Sequence, residues 1–289
     1  MPQKSTVSWN SLIGAFSRSG RPIESLVLFW TMNLEGVRPN SVTFMAAIEA
    51  CTSMEEISHG RFVHAVVLSC EGEASVGVMN ALINMYGKHS RVSEARKTFA
   101  SICKSHRDVI SWNSMISAYA RNGRLQEAKN TFHKMAMDGV LPNEVTFLAL
   151  LSALGHSGDV KRGWSFFISM HHDYGLVWGI DHLVCTVDLF GRAGLIEQAE
   201  RIVLSSSFAR LPVPWMALLS ACKSSRNPGT IEKSGTVART ALELNTAKSS
   251  PYVLVSNAFL DDLPYFPGAR TLPYQPPPPA APLVKTHLG

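Results

Sequence analysis

The sequence is short of concentrated features. Only 17% of its 289 residues are charged and no acidic or basic tract stands out, which argues against a charged disordered chain or a long coiled coil. The five cysteines, Cys51, Cys70, Cys103, Cys185 and Cys222, are odd in number, far apart and without a C-x-x-C pair. They offer no zinc knuckle, thiol-exchange motif or disulfide framework, and they suit a reducing compartment. No apolar run reaches the roughly 18 uninterrupted residues of a membrane-spanning helix, so no membrane segment is expected. Met1 to Thr6 show neither a signal peptide nor an Arg/Ser-rich transit sequence.

Catalytic signatures are missing too. There is no P-loop, no G-x-S-x-G elbow and no Rossmann fingerprint. None of the ten histidines stands two residues before a glutamate, and the closest cluster, His171-His172-Asp173, reads as a solvated loop. Catalysis in cis, a cofactor and a resident metal are therefore not expected. What remains is 46% hydrophobic residues, ordinary for a globular chain, and a net charge of +5 that mildly favours a polyanionic partner.

The informative feature is an internal duplication. Ser8-Trp9-Asn10-Ser11 recurs as Ser111-Trp112-Asn113-Ser114, 103 positions later. The offset holds for Gly20 and Gly123, Phe29 and Phe132, Met32 and Met135, and Gly36-Val37 and Gly139-Val140. It continues through Pro39-Asn40 and Pro142-Asn143 to Val42-Thr43-Phe44 and Val145-Thr146-Phe147. About half of the aligned positions are identical, which chance does not supply.

Within a copy, Trp9, Leu12, Ile13 and Phe16 have the spacing of one apolar helix face. Gly20 ends that helix and Pro22 suits the first turn of a second, whose apolar face is Leu26, Phe29 and Met32. Gly36 and Pro39 close the unit, giving a helical hairpin of about 35 residues. The offset leaves room for two more hairpins between the copies. One carries Ile48, Phe62 and Val66 in helical spacing, and the next opens with Asn80-Ala81-Leu82-Ile83. Hairpins of this size cannot bury both faces alone, so they must stack. The expected fold is all-α, an α-solenoid of helix-turn-helix repeats.

The run V-S-W-N-S-[LM]-I-x-A-[FY]-x-R-x-G-R-x-x-E from Val7, opening with Ile110 in the second copy, closely resembles the pentatricopeptide repeat family. So does F-x-x-M-x-x-x-G-V-x-P-N, ending at Asn40 and Asn143. The unequal units resemble the plant subclass that alternates P, L and S repeats. On that resemblance residues 1–5 are an N-terminal extension and 6–212 are six repeats in the order P, L, S, P, L, S. Residues 213–260, with Trp215 to Cys222 and Tyr252 to Asn257, look like a partial E-type motif, and 261–289 form a proline-rich tail expected to be disordered. The tetratricopeptide repeat, a similar hairpin, lacks a counterpart here for its Leu-Gly dipeptide and Trp-to-Tyr spacing.

The resemblance implies a right-handed superhelix that binds single-stranded RNA, one base per repeat, through the fifth and last residue of each unit. These are Asn10 with Asn40 and Asn113 with Asn143, implied to favour pyrimidines, and Asn80 with Asp108, implied to favour U. Without the family, Asn10, Asn80 and Asn113 read equally as caps near the start of the first helix. Val7, Val42, Ile110 and Val145, at the second position, are implied to sandwich bases, with core packing as the alternative. Gly77 stands at that position in the first S repeat, and Met45 and Leu148, fifth in the L repeats, can only space. Such an array specifies about four bits, too few to select one transcript, so further repeats or a partner must add specificity. The resemblance further implies a monomer in mitochondria or chloroplasts and C-to-U editing with a deaminase supplied in trans. A helical protein-interaction scaffold without RNA binding, or a truncated product without a role, are the alternatives.

Overall fold

The computed structural model describes residues 5–70, 74–224 and 228–244, and among them it shows fourteen α-helices in sequential antiparallel pairs. The first helices of the pairs are α1 (Thr6–Arg18), α3 (Ser41–Ser53), α5 (Val76–Lys88), α7 (Val109–Arg121), α9 (Glu144–Ser157), α11 (Ile180–Arg192) and α13 (Pro212–Ser224). Their partners are α2 (Pro22–Leu34), α4 (Ser58–Ser69), α6 (Val92–Ser101), α8 (Leu125–Met137), α10 (Val160–His172), α12 (Ile196–Ser205) and α14 (Pro228–Leu244). Residues 252–257 of the C-terminal motif and the proline-rich segment 261–289 lie outside the described residues.

The turns follow from backbone chemistry. Gly20 and Gly123 take the left-handed conformation, with φ of +74° and +68°, that only glycine adopts without cost. Pro22 sits in the first turn of α2, where its missing N–H is no loss. Between α5 and α6 the same left-handed turn is made by Ser90, at φ 59°, where the later S repeat has Gly194.

Each odd helix from α1 to α11 packs on the next odd helix, and each even helix from α2 to α12 packs between the odd helix of its own pair and that of the following one. Even helices do not pack comparably on one another. The odd row is thus the more closely spaced and lines the inner side of the stack. Small residues permit that spacing. A Cβ at Gly87 would come within 2.7 Å of the Ala118 Cβ on α7, and one at Gly191 within 2.1 Å of the Ala221 Cβ on α13. The aromatic core forms where each even helix meets the following odd one. Phe29 meets Phe44 edge-on at 6.0 Å, and the duplicate pair, Phe132 and Phe147, does so at 5.8 Å. Burying each such ring supplies about 1.5–3 kcal/mol.

Two apolar faces differ from the periodicity reading. Trp9 and Ile13 are buried, but Leu12 is 42% exposed, whereas its duplicate Met115 is only 1% exposed. Met115 is covered because α5 precedes α7; α1 has no described helix before it. In α4 the buried residues are Val63 and Val67, while Phe62 is exposed and lies edge-on to Trp30 at 4.7 Å. The helical period was right there and its phase was off by one residue.

The close spacing of the odd row gives a direct test. Gly87→Val forces a branched side chain into the α5–α7 contact and is expected to cost about 1–3 kcal/mol in chemical denaturation. Gly77→Ala, with open space around the new Cβ, is expected to stabilise by up to about 1 kcal/mol.

Candidate nucleic-acid interface

Residues three or four apart on a helix share one face. On α1 the inner face therefore runs Val7, Asn10, Gly14 and Arg18; on α5 it runs Gly77, Asn80, Asn84 and Lys88; and on α7, Ile110, Asn113, Ser117 and Arg121. The candidate base-contacting residues thus come into register along the odd row.

Each fifth-position asparagine reaches the cap of the next odd helix but one residue type decides how. Asn10 Nδ2 donates to Asn40 Oδ1 at 3.1 Å, and Thr43 Oγ1 donates to Asn10 Oδ1 at 2.5 Å. Asn40 is the N-cap of α3: its Oδ1 accepts from the Thr43 backbone N–H at 3.1 Å, and its own N–H donates to Thr43 Oγ1 at 3.1 Å. The second P repeat repeats this network: Asn113 to Asn143 at 3.0 Å, Thr146 to Asn113 at 2.6 Å, and the same capping box on α9. Three side chains lock one repeat to the next at each of these joints.

The joint between α5 and α7 is built differently. Asp108 caps α7, accepting on Oδ1 from the backbone N–H of Ser111 at 2.8 Å and from its hydroxyl at 2.9 Å. Because Ser111 gives its proton to Asp108, nothing donates to Asn80. Asn80 Nδ2 reaches Asp108 Oδ1 only at 3.5 Å, and Asn80 Oδ1 is buried with no hydrogen-bond partner. A buried acceptor left so costs about 1–3 kcal/mol unless something supplies a donor.

The capping alternative for Asn10, Asn80 and Asn113 does not hold. The caps of their helices are Ser5, Ser75 and Asp108, and these asparagines lie a full turn inside. Capping falls instead to the last residues of the preceding units, Asn40, Asp108 and Asn143. Core packing likewise fails for the second positions. Val7, Val42, Ile110 and Val145 are 73%, 59%, 58% and 53% exposed, forming an aliphatic row that water would not favour on a purely structural face. Gly77 interrupts it with open space. At the joint between α9 and α11, Leu148 and Gly179 provide no such pair. His182 ties that joint instead: its Nδ1 accepts from the Gly179 N–H at 3.1 Å, which leaves Nε2 to donate to the Glu144 carbonyl at 2.8 Å.

Sequence reasoning missed one row. Arg18, Lys88, Arg121, His156 and Arg192 occupy the last turn of α1, α5, α7, α9 and α11 and are exposed. The Arg18 guanidinium folds back over Gly14, within 3.1 Å of where a Cβ would stand. The Lys and Arg side chains of this row oppose the negative helix ends. They also follow each cap by thirteen residues, a recurrence visible in the sequence once the caps are fixed.

The chain matches the family described as the PPR repeat family over residues 4–53 and 107–156, and that described as the PPR repeat over 78–106 and 145–173. It is similar to the mitochondrial pentatricopeptide repeat-containing protein At1g06140 of Arabidopsis thaliana, 38% identical over 258 residues, which cover 89% of this chain and 45% of that protein. The chloroplastic protein CRR2 of the same plant is 32% identical over 263 residues, 90% of this chain and 39% of that one. The chain thus spans half or less of the length of these relatives. Its fold is like that of the crystal structure of the pentatricopeptide repeat protein PPR10 from maize, with TM-score 0.57 at 22% identity over 88% of this chain and 37% of that one. It is similar also to PPR10 in complex with an 18-nt psaJ RNA element, with TM-score 0.56 at 16% identity over 89% and 43% of the two chains.

Because a cap and a fifth-position residue share each joint, their removal separates. Asn143→Ala and Thr146→Val are each expected to cost about 1 kcal/mol of stability without any ligand, through the lost box. Asn130→Ala, on the exposed outer surface of α8, is expected to stay within about 0.5 kcal/mol in the same urea titration.

Proposed function

This chain belongs to the pentatricopeptide repeat family, and from that premise we propose that it binds single-stranded RNA with a bias for pyrimidines. The observation that carries the proposal is the set of three inner-face joints, each pairing an asparagine with a cap beside the exposed aliphatic row. Asn10 with Asn40, Asn113 with Asn143, and Asn80 with Asp108 read the base, while Val7, Val42, Ile110 and Val145 cover its faces. Complexes of PPR10 with RNA support the premise.

The chemistry of the joints supports a division of labour. At the two Asn/Asn joints both Oδ1 atoms are already occupied, by the hydroxyl and backbone N–H of Thr43 or Thr146 and by the partner amide, so amide N–H donors are what remain. Donors suit the O2 and N3 acceptors of cytosine and the carbonyls of uracil. At the Asn80/Asp108 joint the surplus is of acceptors: beyond the buried Asn80 Oδ1, the second carboxylate oxygen of Asp108 takes none of the cap bonds. An acceptor surplus suits the N3–H of uracil. The cations at Arg18, Lys88 and Arg121 lie on the same stripe and can track phosphates.

We further propose the finer assignment: a P-L-S array ending in an E-type motif, acting in an organelle as the specificity factor for C-to-U editing, with catalysis by a deaminase in trans and none by this chain. The mitochondrial and chloroplastic relatives support the location.

Fluorescence anisotropy with pyrimidine-rich and purine-rich RNAs tests the reading. The pyrimidine-rich RNA is expected to bind at least tenfold tighter, and Asn10→Ala/Asn113→Ala to erase most of that difference, at about 1–3 kcal/mol per lost contact. Gly77→Val, which completes the aliphatic row, is expected to tighten binding severalfold. Equal affinities throughout would sink the proposal.

A further inference from the structure

The duplication provides an internal control for each joint of the inner face. Around α5 the joint is filled. Asn84 Nδ2 donates to Ser114 Oγ on α7 at 3.3 Å, and on α3 stands Thr52, its hydroxyl donating to the Ile48 carbonyl at 2.6 Å. In the later copy the corresponding residues are Asp188, Ala217 and Gly155. Two side chains have been cut back and the bridging amide has become a carboxylate.

The joint opens accordingly. Gly155, Asp188 and Ala217, with Val184, Cys185 and His156, line a cavity of about 270 Å³ between α9, α11 and α13. That is just below the roughly 300 Å³ at which pockets for drug-sized ligands begin, the scale of one planar base. Val184 is the fifth-position counterpart of Asn80 and Asp188 lies one turn further along, so the cavity adjoins the base-reading stripe. Arg192 Nε holds Asp188 Oδ2 at 2.8 Å, which fixes the carboxylate and offsets its charge. Asp188 Oδ1 carries no hydrogen bond among the described residues. Burial pushes the Cys185 thiol up to about 11, helped by Asp188 and Asp181, so the sulfur presents an uncharged wall.

Resting on the RNA-binding reading above, we propose that this cavity is a guanine site, in which Asp188 takes the Watson–Crick edge of a base that Val184 cannot read. A carboxylate only accepts, and guanine alone among the four bases offers two adjacent donors, N1–H and N2–H, on that edge. The site adds a purine to an array whose other contacts select pyrimidines.

The experiment walks a single guanine, and separately a single adenine, along a short pyrimidine-rich RNA and measures anisotropy with the full chain. Guanine at one position is expected to tighten binding about tenfold over adenine there, the size of one bidentate base contact. Asp188→Asn keeps the shape but replaces one acceptor with a donor, and is expected to remove that preference. Gly155→Thr/Ala217→Ser, which restores the side chains of the first copy, should do the same while leaving the parent RNA's affinity and the thermal melt unchanged. If the parent RNA binds and no position prefers guanine, or the preference survives Asp188→Asn, the site is overturned and pyrimidine reading stands. If the parent RNA does not bind, the RNA reading falls and the site with it.

Discussion

The interaction on which the structure turns is the hydrogen bond from a fifth-position asparagine to the cap of the next odd helix. It spans thirty residues of sequence at Asn10–Asn40 and again at Asn113–Asn143, and in both it is buttressed by a threonine that serves cap and asparagine together. One network thereby satisfies an orphaned N–H at the start of a helix, joins two repeats and orients the amides of the inner face. Groups held this way lose little further freedom when a base arrives, so the stability of the stack and the selectivity of its inner face draw on the same atoms.

That coupling explains why the repeats are not interchangeable. Where serine replaces threonine, at Ser111, the hydroxyl turns to Asp108 and Asn80 is left with a buried, unpartnered oxygen. Where neither asparagine nor a side-chain cap is available, between α9 and α11, His182 holds the joint through two backbone groups and contributes nothing outward. A helical stack tolerates such variety because each joint depends mainly on its own neighbours. The aromatic pairs Phe29–Phe44 and Phe132–Phe147, each joining an even helix to the following odd one, recur nearly unchanged while the inner-face joints vary.

Much of this was legible in the residues. Gly20, Pro22, Gly36 and Pro39 marked turns because their backbone restrictions are local, and the apolar face of Leu26, Phe29 and Met32 followed from helical period. Other features depend on neighbours that a period does not see. Leu12 and Met115 are equivalent in pattern, yet only the latter has a helix packed over it. Phe62 has helical spacing, yet the core takes Val63. The second-position aliphatics looked as suited to a core as to a surface, and only the packing of the odd row puts them outside. Capping stayed open as an alternative for the fifth-position asparagines because asparagine suits both places. Which one has extended backbone is settled by where the helix starts: Asn40 has φ −118° and ψ −179°.

Three asparagine side chains are expected to meet RNA from the inner face. Side-chain amide resonances report this directly: ¹⁵N-edited spectra, assigned by single substitution, can be followed as a pyrimidine-rich RNA is added. The Nδ2 signals of Asn10, Asn80 and Asn113 are predicted to shift together and saturably, while those of Asn33 and Asn130, exposed on even helices, stay in place. Movement of the outer pair with the inner three unchanged would contradict the account.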